Sequence, residues 1–451
     1  MIDYVFGKVT RSFNFVRGIH QCAMKSIGTI FFGVIICINI SSCSDPKTVL
    51  TFWVMGSEGE FVSQLLPEFE RTHPGVKVKL EQLPWSAAHE KLLTAYAGDA
   101  LPDMAQIGNS WIPEMGALNA LEALTPYAKK SATVKLDDFF NGILETNRLG
   151  SELFGIPWYI DTRLLFYRRD LLEQAGYDHP PATWDEWRKM FAAISKKWDG
   201  ARMGILLPVN EFEPLLALSL QQPGELLRDD ARYANFSGPG FSSSLAFYTE
   251  IFSKGYARNL SNNQISNVWD EFAKGSFVFY ISGPWNVGEF KRRMPAHLKD
   301  AWSTAALPGP NGPSASTAGG ASMVIFNNAK HKKEAWALIE YLSRTDIQLR
   351  FHELTGNMPP RRSIWQDTSL AGDIHAKAFR DQLDRVKAAP KVPQWERIVN
   401  EMQLTASKIV FAQEKNLKFD VKNYQNELDA TVDGWLEKRR WMLEQHVVQK
   451  P

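Results

Sequence analysis

Cysteine is scarce: three residues in 451, at Cys22, Cys37 and Cys43, with none further along the chain. That excludes a disulfide framework or a cysteine-based metal site from the body of the protein. Excess charge is missing too. Lys and Arg total 51 against 50 Asp and Glu, a formal net charge of +1. No electrostatic footprint therefore points to nucleic acid or to an anionic membrane. The sequence has no His-Glu-x-x-His, no Gly-x-Ser-x-Gly and no Walker motif, and its nine His are scattered. Gly238-Pro239-Gly240 has neither the lysine nor the spacing of a phosphate-binding loop. There is no internal repeat and no low-complexity tract.

The composition that remains is that of a soluble globular chain, 44% hydrophobic and 22% charged. Its length favours two domains over one. Tryptophan is abundant at 15 residues. Rings with a polar handle suit surfaces that meet ligands, so the excess favours a binding protein. Near the start, Met24-Lys25, the apolar run Ile27–Ile40 and Ile40-Ser41-Ser42-Cys43 follow the order of a secretory signal. The run is too short to span a bilayer comfortably. Its end resembles a bacterial lipobox, with Ile and Ser in place of the commoner Leu and Gly or Ala, and Cys43 as the lipidated first residue. The competing reading is an uncleaved membrane anchor. Residues 1–23 read as an over-long gene start. Either way, the body of the protein works outside the cytoplasm.

Val49–Met55 reads as a short strand ended by Gly56-Ser57, and Phe61, Leu65 and Phe69 form a helical stripe that Pro67 interrupts. Residues 76–80 alternate as a strand, a helix follows around Ala87–Ala97, and Met104–Ile107 is a further strand. This alternation predicts an α/β layer with a mainly parallel sheet, whose ligands sit beyond the strand ends. Ser57, Glu58, Asn109, Ser110 and Trp111 all fall there. In Phe154–Leu172, Gly155 and Pro157 bend the backbone and Trp158–Asp161 is extended. Leu164–Tyr167 is the length of a buried strand, and Asp170 with Glu173 forms a capping box. Thr183 with Glu186 forms another, opening a helix whose Trp184, Trp187, Phe191 and Ile194 read as core. Phe277–Ile281 is a strand ending in the loop Gly283-Pro284-Trp285. Leu307–Thr317 is the clearest linker, and Gly356–Arg362 is another break.

Breaks near 158, 310 and 358 divide the chain into a leader and signal at 1–42, one lobe of 43–158 plus 311–357, and a second of 159–310 plus 358–451. Three parallel connections permit bending while resisting sliding, as in a hinge that closes on a ligand.

GSEGE at 56–60, FERTHPGVKV at 69–78, LPDMAQIGNSW at 101–111 and FGIPWYIDTRLLFYRRDLLEQAG at 154–176 belong to one ordered set. PATWDEW at 181–187, DEFAKGSFVFYISGPW at 270–285, STAGGAS at 316–322 and GNMPPRRS at 356–363 complete it. In this order and spacing the chain resembles the extracellular solute-binding proteins of bacterial ABC transporters, in the carbohydrate-binding group that includes maltose-binding protein. The resemblance implies a two-lobed, hinge-closing α/β fold of the periplasmic-binding-protein type. Such a protein is a monomer without cofactor or metal that carries a sugar to two permease subunits driven by a cytoplasmic ATPase. It also implies ligand contacts at Glu58, Asn109, Ser110, Asp161, Trp285, Gly320, Arg361 and Trp395, and by position Trp111 and Arg163 join them as candidate ligand residues. Rings supply oriented contact, while carboxylate, amide and guanidinium groups discriminate hydroxyl patterns.

Competing readings stand beside several of these. Asp161 pairs with Arg163 or grips ligand. Glu58 is a ligand group or a helix N-terminal acid. Arg361 and Arg362 are solvated, or one of them faces the cleft. Trp53 reads as core, while Trp85 and Trp111 are undecided. A secreted hydrolase would need two carboxylates facing one bond, with Glu58 and Asp161 as the available pair, drawn from opposite sides of the cleft. A sensor or adhesion protein reusing the fold is the third reading.

Overall fold

The β-rich run at Val49–Met55 forms strand β1 (Thr48–Met55), buried along its second half. The computed structural model describes residues 48–448; the leader and Cys43 lie outside them. Gly56 turns the chain with φ of +66° into a short helix α1 (Glu58–Val62). Pro67 ends that stripe by restarting the helix at Leu66–Thr72, where its missing N–H is harmless. β2 (Val76–Leu83), α2 (Trp85–Ala97) and β3 (Met104–Gly108) follow, with β1 parallel to both β2 and β3.

The next long strand, β4 (Ile156–Asp161), carries the aromatic pair Trp158-Tyr159. Pro157 lacks a ladder donor, and the pairing register of β4 shifts opposite Ala321/Ser322. The chain then enters β5 (Leu164–Arg168), fully buried. Arg168 donates to both carboxylate oxygens of Asp170 at 2.8 and 2.7 Å. Asp170 therefore sits in the first turn of the following helix (Arg169–Gln174), which has no side-chain cap, and the expected capping box does not form. The box at Thr183 and Glu186 does form, opening α3 (Trp184–Lys197). Its Trp184, Trp187, Phe191 and Ile194 are core.

β6 (Met203–Leu206), α4 (Glu213–Leu220) and α5 (Pro239–Ser253) lead to β7 (Phe277–Ser282). Trp285 is not in a loop as expected. Gly283-Pro284 makes the turn and Trp285 opens α6 (Trp285–Arg293), because Pro284 fixes a helical φ of −65°. β8 (Trp302–Ala305), β9 (Gly319–Ile325), α7 (Thr345–Thr355), α8 (Trp395–Glu414) and α9 (Val421–Val448) complete the main elements.

These strands form two mixed sheets, ordered β2-β1-β3-β9-β4 and β8-β5-β7-β6. β9 runs antiparallel between β3 and β4. β5 is antiparallel to β7 and β8, and β7 is parallel to β6. The chain passes between the sheets at Thr162–Arg163, across Leu307–Ala318, and again after α7. The first passage lies beyond 158 because Trp158–Asp161 pairs with β9 and so stays in the first sheet. Where these passages meet, Phe140 and Ile160 pack in one cluster with Phe166, Ala318, Met358 and Trp365. Burying each large ring there contributes about 1.5–3 kcal/mol, and because the same cluster runs on through Phe277, Phe290 and Trp302, the passages are rooted in the apolar core of the second lobe. Among the described residues no helix is long and apolar enough to cross a membrane.

Candidate functional site

The strand ends of the two sheets face a cavity of about 1000 Å³. Nine of the ten expected ligand residues line it: Glu58, Asn109, Ser110, Trp111, Asp161, Arg163, Trp285, Gly320 and Trp395. They come from the ends of β1, β3, β4 and β7 and from the first residues of β9 and α8. Arg361 is the exception, and that expectation is corrected. Pro359-Pro360 carries it along the first lobe, where Phe139 and Arg361 form a bridge. Its Nε donates to Asp138 Oδ2 at 2.7 Å and Nη1 to the Ser343 carbonyl at 2.6 Å. Arg362 also misses the cavity, lying 4.3 Å from the centre of the Phe140 ring. Asn357, from the same break, takes the place expected of the arginine.

Glu58 is buried directly after the Gly56 turn. The Tyr159 hydroxyl donates to its Oε1 at 2.8 Å and Asn357 Nδ2 at 3.3 Å, while Gln106 Nε2 donates to the Tyr159 oxygen at 2.9 Å. Burial raises the Glu58 carboxyl above its ordinary range, against the pull of the Tyr159 hydrogen bond. The same burial, with Glu58 beside it, pushes the Tyr159 phenol well up. Glu58 follows β1 and Asp161 is the last residue of β4, so both come from the first sheet and not from opposite sides of the cleft.

Asn109 Nδ2 donates to Thr146 Oγ1 at 2.9 Å and to the Ala318 carbonyl at 3.0 Å, fixing the end of β3 to the second passage. Ser110 Oγ reaches Glu396 Oε1 on α8 at 2.6 Å. Because α8 packs on α5 of the second lobe, this bond spans the cleft. Burial raises the Glu396 carboxyl, the Ser110 hydrogen bond opposing it. Beside it, His89 Nε2 lies 2.6 Å from Glu114 Oε2, and that hydrogen bond raises the imidazole. Trp85 and Trp111 meet edge-on at 5.6 Å on this rim, which settles both as cavity residues. Trp53 is buried as expected.

Asp161 and Arg163 do pair, Nη1 to Oδ1 at 2.8 Å, and both still line the cavity. Arg163 Nη2 also donates to Glu213 Oε1 at 2.7 Å. Burial raises the Asp161 carboxyl, with Arg163 opposing and Glu213 adding to the shift. Glu211 is likewise raised by burial and then by Glu213, and accepts from Asn262 Nδ2 at 2.9 Å. Gly320 has a φ of +146°, and a Cβ there would lie 2.3 Å from the Tyr159 carbonyl oxygen. The close approach that requires glycine is therefore to β4.

Sequence reasoning missed Tyr159, Glu211, Glu213, Trp269, Asn357 and Glu396, all of which line the cavity. Glu213 precedes Pro214 and reads as an ordinary first-turn acid, and Glu396 is masked by the neighbouring Trp395. Among the described residues no group of three or more His, Cys, Asp or Glu is placed to hold a metal ion. Chemically, the cavity offers broad aromatic faces and carboxylates, three held by neutral donors (Glu58, Glu211, Glu396) and three by arginine (Asp161, Glu213, Glu289), a set suited to hydroxyl groups.

A family model for bacterial extracellular solute-binding proteins matches residues 55–349. The structure of the sugar-binding protein MalE from the phytopathogen Xanthomonas citri is 49% identical in sequence. The match covers 88% of this chain and 99% of that one with a TM-score of 0.82. The diacetylchitobiose binding protein DasA of Streptomyces coelicolor is 23% identical, over 78% of this chain and 82% of its own. The maltodextrin-binding protein MdxE of Bacillus subtilis is also 23% identical, with the same coverage of each chain.

Proposed function

Because the chain belongs to the bacterial extracellular solute-binding proteins, we propose that it binds an oligosaccharide between its lobes and delivers it to an ABC importer. One observation carries this reading: Trp85, Trp111, Trp269, Trp285 and Trp395 share a single cavity with Glu58, Asp161, Glu211 and Glu396. Indole faces take the apolar C–H surface of a sugar ring, and carboxylates accept from its hydroxyls. In this reading Asp161, Glu58, Asn109 and Ser110 grip hydroxyls, Trp111 and Trp285 stack on rings, Gly320 shapes the wall, and Trp395, 2% exposed and packed in the second-lobe core, backs the cavity without offering an open face. Lobe 1 comprises 48–161 and 319–357, with 164–305 and 368–448 forming lobe 2. Cys43 is the lipid attachment point, the protein works as a monomer on the outer face of the membrane, and its partners are two permease subunits with a cytoplasmic ATPase.

The protein releases its ligand unchanged. Hydrolysis needs one carboxyl to protonate the leaving oxygen while a second attacks or activates water. Here Glu58 is held by Tyr159 and Asn357, and Asp161 by Arg163. Calorimetry and tryptophan emission against a panel of oligosaccharides test the proposal. Saturable binding with intact sugar recovered is the expected result, and product formation would return the secreted-enzyme reading. A binding protein that bound sugar but failed to support uptake in cells would favour a sensor.

A further inference from the structure

Arg163 is the point at which four separated pieces of chain meet. Its Nη1 donates to Asp161 Oδ1, at the end of β4, and its Nη2 donates to Glu213 Oε1, the first residue of α4. The guanidinium carbon sits 4.7 Å from the centre of the Trp285 ring, which opens α6. Its own carbonyl accepts from Ser316 Oγ at 2.7 Å, on the second passage between the sheets. The side chain is 11% exposed. A guanidinium can do all this at once because its two terminal nitrogens reach two carboxylates while the group sits over the indole ring.

We propose that Arg163 is a positioning residue that couples occupancy of the cavity to the angle between the lobes, and does not itself touch the sugar. The inference rests on the sugar-binding reading above. Arg163 takes Oδ1 of Asp161, while among the described residues Oδ2 makes no hydrogen bond. A hydroxyl bound at Oδ2 therefore acts on a carboxylate already tied, through one rigid group, to α4 and Trp285 of the other lobe. Stacking on Trp285 is transmitted back along the same path. Lysine keeps the charge, but as a point donor it lacks the two terminal nitrogens that reach both carboxylates from over the ring.

Arg163→Lys and Glu213→Gln are compared with wild type by small-angle scattering and tryptophan emission, free and saturated with the best sugar from the panel. Trp285→Phe identifies the emission change that belongs to Trp285. Without ligand, Arg163→Lys is expected to show a larger radius of gyration than wild type. With ligand, it binds roughly tenfold more weakly, and at saturation it loses most of the compaction and of the Trp285 signal. Glu213→Gln moves each readout the same way by less. A residue that merely contacted sugar would weaken binding yet leave the saturated compaction and emission at wild-type size, and that result overturns the proposal. Unchanged ligand-free scattering in both variants overturns it as well. Should Arg163→Lys fail to fold, Glu213→Gln carries the test, and full closure in it refutes the coupling. A wild-type protein that responds to no sugar would instead sink the sugar reading, with the ligand-free comparison still deciding the coupling.

Discussion

Glu58 carries a carboxyl into a place that disfavours its charge, and the sign of the consequence can be worked out. Its folded pKa lies above the unfolded value, mainly through burial. Between those two values the native state binds more protons than the unfolded chain, so stability falls as pH rises through the window. Each unit of upward shift costs about 1.4 kcal/mol above it. Glu58→Gln retains the oxygen that accepts from Tyr159 and Asn357 while removing the charge. Thermal melts from pH 4 to 8 are expected to show a higher Tm at neutral pH and a shallower decline. Some slope remains, because Glu211 and Glu396 are raised too. On the binding side, Asp161→Asn should weaken sugar affinity by about 1.5–3 kcal/mol, the worth of a hydrogen bond to a charged group, measured by calorimetry. At this scale much was legible. Polar residues just after strands were placed in the cavity by the rule that strand ends build sites. Arg361 was misplaced because two arginines and an asparagine in one seven-residue break look equally available in sequence. Only the Asp138 carboxylate and the Ser343 carbonyl, both distant along the chain, decide which side chain turns inward.

Arg361 and Gly320 show how elements constrain single residues. Burial alone would raise the Asp138 carboxyl, but Ser363 and Arg361 outweigh it and hold it below the ordinary range. That contribution is present above the unfolded carboxylate pKa and is lost as pH falls through the lowered one. Arg361→Ala should cost about 1.5–3 kcal/mol by urea unfolding, the worth of its charge-assisted hydrogen bonds to the half-buried Asp138 and to the Ser343 carbonyl, while sugar affinity is unchanged. Altered affinity with intact stability would put Arg361 back in the binding site. Gly320→Ala forces a side chain into positive φ and against the Tyr159 carbonyl, each costing on the order of 1–3 kcal/mol. Calorimetry on the folded fraction should also show weaker binding, since β4 must shift and Asp161 with it. Local pattern captured the elements whose causes are local: the capping box at Thr183 and Glu186, the Pro67 restart and the apolar strands. It failed where a distant group competed. Arg168 takes the Asp170 carboxylate from the helix N-terminus, and pairing with β9 keeps Trp158–Asp161 in the first sheet.

For the molecule as a whole, ligand binding and stability are linked. A sugar at a hundred times its Kd should stabilise the folded state by about 2.7 kcal/mol, read as a Tm rise that grows with the logarithm of ligand concentration. A Tm unmoved by a sugar that calorimetry shows to bind would contradict the linkage. The two-lobed fold was legible through the family resemblance, whereas strand order was not, because it depends on pairings between residues far apart in sequence.

The place of β9 has a consequence for the order in which the chain acquires structure. The first sheet is begun by β1, β2 and β3, yet its fourth and fifth positions wait for Gly319–Ile325, after the whole second sheet has been laid down. During synthesis β3 therefore presents a bare hydrogen-bonding edge for some two hundred residues of growth, a template for mispairing and a source of slow, non-local folding. A fragment ending at Ala305 would keep the open edge without ever gaining the strand that closes it, and would aggregate.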